Sequence, residues 1–457
     1  MPNDIFNTKE ILPDQESVYQ ALKSDTLNRV DLACYLFEMI NTPSFEISSI
    51  AIDGQWGSGK TFFVQMLKML IDSYAKNSDL KKEYSESIIQ LTKQKYANKE
   101  MESIICPIYY DSWLNDSMAE PVLSLLHTIC KQTNTATRFA PKIEKITKSL
   151  CNSTVNFFLK AFSIYAQAPD LVKIKDALCQ AFSSESPFSS VIDTEQLQLD
   201  IKELLEKIVK KINKPLVIFI DELDRCKPSY AIKLLEAIKH YFFNDKILFV
   251  FSVNLSELQH SVRCIYGQDF DATRYLDRFF NVRFNLPSPV VRTYLERQYN
   301  QNKLKGVSLE ITEYLASEYN LQLREICKFG AQISLITKSI SFQEYDYYDS
   351  TKTFISLIFV PIALCLKFVD LDQYRLFISG NGQEILKKLS STHFVKYYCS
   401  LYLGEKTIPD NLIYSTLFTA YRLLFTPKNE NVKRRLGKCE FYPNCGEFFL
   451  RKVGFFS

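Results

Sequence analysis

The chain has 457 residues, 46% of them hydrophobic and 14% aromatic, enough for a large core and more than one domain. Its 55 Lys and Arg against 52 Asp and Glu leave a formal charge of +3, which argues against a general polyanion binder and leaves only a local basic patch open. The 12 cysteines are scattered singly, the pattern of reduced thiols in a cytoplasmic protein, and Met1–Leu12 lacks the basic start and apolar stretch of a secretory signal.

Residues 1–45 read as a helical lead-in, with Val30, Cys34, Phe37 and Ile40 at helical spacing. Ile47–Ile52 is a short Ile-rich strand that runs into a Gly-rich loop, and Phe62–Tyr74 is an amphipathic helix beyond it. Residues from about 75 to 103, dense in Lys, Glu and Gln, read as an exposed helical insertion. A strand over Ile104–Tyr110 and a helix over Pro121–Lys131 come next. Residues 135–190 form a second helix-prone insertion, closed by the turn composition of Ser183–Pro187.

Regular alternation then resumes. Leu197–Ile212 and Tyr230–Phe243 read as helices around the unbroken apolar strand Leu216–Ile220. A second such strand, Ile247–Val253, precedes helices over Leu255–Tyr266 and Ala272–Phe280, and Val282–Leu286 is a last short strand before Pro287 and Pro289. Apolar strands alternating with helices predict an α/β fold whose parallel sheet is covered on both faces. Beyond Val290 the patterns are mainly helical. Val155–Ala168 and Phe354–Leu366 are apolar but shorter than the roughly 20 residues a bilayer needs, so buried helices are expected and no stable membrane span.

Gly54-Gln55-Trp56-Gly57-Ser58-Gly59-Lys60-Thr61 fits G-x-x-x-x-G-K-[ST] between a strand and a helix. Its backbone N–H groups, with that of Phe62 behind them, would face the phosphates of a nucleoside triphosphate such as ATP, and glycine permits so close a turn. Lys60 would neutralise the β and γ phosphates, Thr61 would ligate Mg²⁺, and the helix N-terminus adds partial positive charge. Gly is scarce, 12 in all, yet three fall within six residues here, so a chance turn is a poor explanation.

The apolar strand Leu216–Ile220 ends in Asp221 and Glu222. A phosphate-loop protein needs a carboxylate at the tip of a neighbouring strand to orient Mg²⁺. Asp221 fits that place, and Glu222 could polarise the attacking water. Asp224 reads as part of a salt bridge within the site. For Arg225 such a bridge and a contact to nucleotide in an adjacent subunit are both open.

These residues resemble the KAP family of P-loop NTPases, within the STAND and AAA-like group, over roughly residues 20–335. Trp56 resembles the family's G-x-W-G-x-G-K-[ST]. Tyr110-Asp-Ser-Trp113 and the helix after it resemble a second-strand motif, although the usual Asn is Asp111 here. Ile220-Asp-Glu-Leu-Asp-Arg-Cys226 resembles I-D-[DE]-L-D-R-C, and Leu235–Lys239 and Tyr275–Phe279 also have counterparts. The resemblance implies a P-loop NTPase three-layer parallel sheet over 46–289 with helical insertions. It places the Mg²⁺ carboxylate strand between the P-loop strand and a sensor strand. It also implies a helical lid over 290–340. Asn254 then resembles the sensor that holds the attacking water, Arg278 stands where an arginine finger is expected (the family often has Lys), and Arg324 would reach the γ phosphate from the lid.

Residues 341–457 form a mostly helical C-terminal region matching no motif. Cys439 and Cys445 have the spacing of half a zinc knuckle, but Cys399 and His393 are poorly spaced to complete four ligands. Val432–Lys438 reads as a solvated basic turn. The expectation is an ATP-hydrolysing switch or assembly ATPase, joined to copies of itself or to a partner protein through the C-terminal region, in prokaryotic defence or signalling by resemblance. A nucleic-acid-dependent NTPase is the alternative, which the near-neutral charge disfavours.

Overall fold

The computed structural model describes residues 13–76, 79–95, 102–118, 120–150, 189–287, 291–292, 294–295, 307–338, 347–404, 408–425, 434–442 and 444–454. The chain divides into two compact units, one of Leu12–Pro287 and one of Met1–Ile11 with Ser288–Ser457.

The first unit is built on five parallel strands, β1 (Ser49–Asp53), β2 (Cys106–Asp111), β3 (Leu216–Asp221), β4 (Ile247–Val253) and β5 (Val282–Asn285), in the order β2-β3-β4-β1-β5. Alternation along each strand sends neighbouring side chains to opposite faces. Ile218, Ile220, Phe249 and Phe251 enter one core with the helices Pro121–Gln132, Ser189–Ile212 and Pro228–Tyr241. Val217, Phe219, Leu248 and Val250 enter the other with the helices Val30–Ile40 and Lys60–Ser73. Two cores flanking one sheet make the three layers of a P-loop α/β fold, and they explain why β3 and β4 are apolar at nearly every position. Register aligns the strand ends: Asp53 pairs with Val253, Asp221 with Ser252, and Asp111 with Asp221.

The sheet order corrects one expectation. The sensor strand β4 lies between the P-loop strand β1 and the carboxylate strand β3, rather than β3 lying between the other two. With strands about 4.8 Å apart, this places Asp221 two strands from the phosphate loop and opens a gap wide enough for a hydrated metal.

The lead-in is part of the same unit. Val18, Leu22, Val30, Phe37 and Ile40 are buried in the second core, so 13–45 is no separate element. The first insertion is a helix, Lys82–Lys95, but not a wholly solvated one: Tyr84, Ile88 and Thr92 are buried beneath its charged residues. Of the second insertion, Ala136–Leu150 is helical, and residues 151–188 lie outside the described residues, as does the apolar segment Val155–Ala168.

The second unit merges the expected lid and C-terminal region. Leu295, Ile311, Leu315, Ile326 and Phe329 share one core with Ile358, Phe377, Leu386, Leu417 and Phe449, so apolar packing joins 290–340 to 341–457. A two-stranded hairpin, β6 (Arg434–Leu436) with β7 (Cys439–Phe441), interrupts the helices and holds Gly437 at φ 56 in its turn. The apolar segment at Phe354–Leu366 extends further than its composition suggested. A π turn, Ile355–Phe359, joins flanking helices, so that Ser350–Val369 is long and apolar enough to cross a membrane, though most of it is buried in the protein. Phe354, Phe359, Leu364 and Leu366 lie in the core. The described residues contain no group of three or more His, Cys, Asp or Glu arranged to hold a metal.

Candidate nucleotide site

The phosphate loop leaves β1 at Gly54, whose N–H donates to Val253 O at 3.1 Å. A Cβ on Gly54 would lie 2.8 Å from Ser58 Oγ, so a side chain there would fill the cradle. Gly57 and Gly59 sit at φ 80 and 86, in the left-handed region that other residues avoid. Gly59 caps the helix Lys60–Ser73, and Phe63 N returns to Gly59 O at 3.1 Å. The first-turn N–H groups of Lys60, Thr61 and Phe62 therefore have no partner within the helix. The Phe62 ring packs on the core, so only its backbone can serve an anion. Buried Ser58 Oγ accepts and donates no hydrogen bond. Lys60 is buried, with Nζ donating to Gly54 O at 2.6 Å and to Gln55 O at 3.3 Å. Burial pulls its pKa down, and Asp224, Asp221 and Glu222 oppose that pull. A helix start whose first-turn N–H groups have no partner within the helix, beside a buried ammonium, fits a polyphosphate.

The carboxylates occupy the facing strand end. Asp221 is 1% exposed; it accepts from Tyr109 Oη at 2.9 Å and from the Glu222 N–H at 3.0 Å. Burial raises its pKa, and the Ser252, Thr61 and Tyr109 hydroxyls facing it oppose the rise. Glu222 stands in the left-handed region at φ 61, ψ 23. Its Oε1 accepts from Thr61 Oγ1 at 3.2 Å, and its Oε2 forms an ion pair with Arg225 Nε at 2.5 Å that lacks hydrogen-bond alignment. Burial and then neighbouring Asp221 push the Glu222 pKa up to about 7, against Arg225 and Thr61. A carboxyl poised near neutrality beside the phosphate loop suits a general base. Thr61 and Asp221 would hold Mg²⁺, which would supply charge neutralisation to the phosphates when bound.

A family model described as the KAP family P-loop domain matches residues 31–340. The chain belongs to the KAP family of P-loop NTPases. Among solved structures, this KAP protein is similar to the Aeropyrum pernix ORC2 protein in its ADPNP-ADP complexes at 12% identity and TM-score 0.31, over 99% of this chain and 98% of that one. The ADP form of the same protein matches at 11% identity and TM-score 0.30, over 98% of each chain. No curated protein matches.

In this KAP protein Trp56 and Asp224 have a contact that the sequence did not predict. The Trp56 indole N–H donates to Asp224 Oδ2, tying the loop crest to the turn after β3. Asp224 is thus held by an indole rather than by the salt bridge expected of it. Its Oδ1 is buried without a partner. Arg225 makes the in-site bridge, to Glu222, and its guanidinium lies 5.7 Å from the Trp113 ring centroid. Asp111 accepts from Leu114 N at 2.9 Å as the cap of the short helix Ser112–Asn115, a task that uses acceptors only.

The remaining expected residues are not all brought together. Asn254 ends β4 beside Gly54, where a sensor belongs, but its Oδ1 caps the next helix through Ser256 N and Glu257 N at 3.2 and 3.4 Å. Arg278 is exposed on the segment leading into the start of β5, the end of that strand away from the phosphate loop, so it does not join its own chain's site. Arg324 is exposed on the helix Leu323–Lys338 of the second unit. Sequence reasoning missed Tyr109. Only alternation along β2, with Tyr110 buried on one face, pointed to a phenol on the other.

Proposed function

We propose that this KAP protein is an Mg²⁺-dependent ATPase whose nucleotide state switches its assembly with copies of itself or with a partner protein. The observation that carries this reading is the Thr61–Glu222 hydrogen bond across the site. It couples the residue that would ligate the metal to the residue that would activate water. In this reading Lys60 gives up the Gly54 and Gln55 carbonyls for the phosphates, the first-turn N–H groups bind oxygen, and Glu222 takes a proton from water. Asn254 orients that water through its amide, Arg324 serves the γ phosphate as the resemblance implies, and an adjacent copy contributes Arg278. The singly scattered cysteines favour a cytoplasmic setting, and the resemblance favours a part in prokaryotic defence or signalling.

The test is ATP turnover together with mass in solution for wild type and Glu222→Gln, with and without ATP. The expected result is turnover by wild type alone and an ATP-dependent change of mass that persists in Glu222→Gln. Bound nucleotide with no turnover by wild type would sink the enzymatic reading, and unchanged mass would sink the switch. Turnover that depends on added DNA or RNA would favour a nucleic-acid-dependent enzyme instead.

A further inference from the structure

Among the described residues, Arg225 is a cationic side chain that pairs with the proposed base, and neither the phosphate loop nor the metal assigns it a task. It is held from three directions. Its N–H donates to Glu222 O at 3.1 Å within the turn Leu223–Arg225. Its guanidinium pairs with Glu222 Oε2 at 2.5 Å and lies over the Trp113 ring. Trp113 is itself 55% exposed, a large apolar surface to leave in water unless the cation seated on it is useful there.

Glu222 shows what that use is. Its backbone adopts a left-handed conformation that a residue with a side chain disfavours. A hydrolytic base must keep one carboxylate oxygen fixed and the other free for a water proton. Here both are engaged, Oε1 by the Thr61 hydroxyl and Oε2 by Arg225. The two contacts differ in kind. Thr61 gives Oε1 one neutral hydroxyl bond, which leaves that oxygen a second lone pair for a water proton, whereas Oε2 is held by a full positive charge.

We propose that Arg225, seated on Trp113, is the positioning residue of the catalytic glutamate: it anchors Glu222 Oε2, so that Oε1 is presented to the attacking water in a fixed direction. This assignment rests on the ATPase reading above. A planar guanidinium that both stacks on a ring and pairs a carboxylate does this better than an ammonium can.

The test uses the full chain with Arg225→Ala and Arg225→Lys, in wild-type and Trp56→Phe backgrounds. The chain has 2 Trp in all, so Trp56→Phe leaves Trp113 as sole indole reporter. Arg225→Ala is expected to lower kcat on the order of tenfold to a hundredfold, part of the roughly 100- to 10,000-fold that a general base supplies. Its Kd for Mg·ATP should stay within about twofold of wild type, and Arg225→Lys should recover part of kcat. Removing the cation should change Trp113 emission without nucleotide, and wild-type Trp113 emission should report the same stacked cation after Mg·ATP is added. Wild-type kcat in Arg225→Ala, raised kcat, or parallel loss of kcat and affinity would each overturn the proposal. If Arg225→Ala does not fold, Arg225→Lys decides, since an undiminished kcat there overturns it as well. A wild type that turns over no nucleotide refutes the underlying function, whereas an active wild type with an equally active Arg225→Ala refutes only the role of Arg225.

Discussion

Replacing Glu222 by Gln should leave the nucleotide unit more stable and the enzyme inactive. The folded carboxyl has a pKa of about 7 against an ordinary 4.5, because it is buried beside Asp221. The native state therefore holds this proton more tightly than the unfolded chain does. The resulting cost is absent below pH 4.5, grows between 4.5 and 7, and is complete above 7. The whole shift corresponds to roughly 3 kcal/mol. Glu222 is 16% exposed, so solvent screening reduces this to about 1–2 kcal/mol. Gln cannot ionise, can still accept from Thr61, and leaves Arg225 partly hydrated. Urea unfolding followed by indole emission reads the right region, because Trp56 and Trp113 both lie in the unit of Leu12–Pro287. The variant should exceed wild type by about 1–2 kcal/mol at pH 8.5 and by less at pH 6, while ATP turnover falls roughly 100- to 10,000-fold. A variant less stable than wild type at pH 8.5, or a difference that ignores pH, would refute the reasoning.

Other outcomes follow from the same geometry. In wild type, kcat/KM should rise with pH through about 7, since Glu222 must lose its proton to act, and a profile flat from pH 5.5 to 8.5 would contradict this. Tyr109→Phe removes the hydroxyl that fixes Asp221, so the Mg²⁺ concentration giving half-maximal turnover should rise, by about tenfold, with little change in global stability. Trp56→Phe strips Asp224 of its indole donor and leaves a second buried carboxylate oxygen bare; a loss of about 1–2 kcal/mol in urea unfolding is expected, and no loss would mean that water replaces the indole.

The legible parts of the sequence are those where chemistry restricts residue choice. A loop that wraps phosphate needs Gly57 and Gly59 at positive φ and a Lys and Thr behind them, and few other uses produce that string. Strands β3 and β4 were readable because burial on both faces leaves no polar alternation. Strand order was not readable, since periodicity records which face is buried and not which strand lies alongside; the position of β4 between β1 and β3 emerges only from pairing. The helix Lys82–Lys95 hid its buried face because Tyr84 and Ile88 are few among many charges. The lid could not be separated from the C-terminal region by pattern, because both contribute to one apolar core. The Trp56–Asp224 contact was invisible for a related reason. It joins a loop to a turn 168 residues further along the chain, and each residue type has common uses elsewhere; the Arg225–Glu222 bridge, three residues apart, was one of the two readings the sequence left open for Arg225.

The account stands or falls on nucleotide held by the loop Gly54–Thr61. The direct measurement is calorimetric titration of Mg·ATP into wild type and Lys60→Ala under identical conditions. Wild type should bind, and the variant, lacking the ammonium now folded onto the Gly54 and Gln55 carbonyls, should bind on the order of a hundredfold more weakly, about 2.7 kcal/mol. Equal affinity in the two proteins would contradict the central claim.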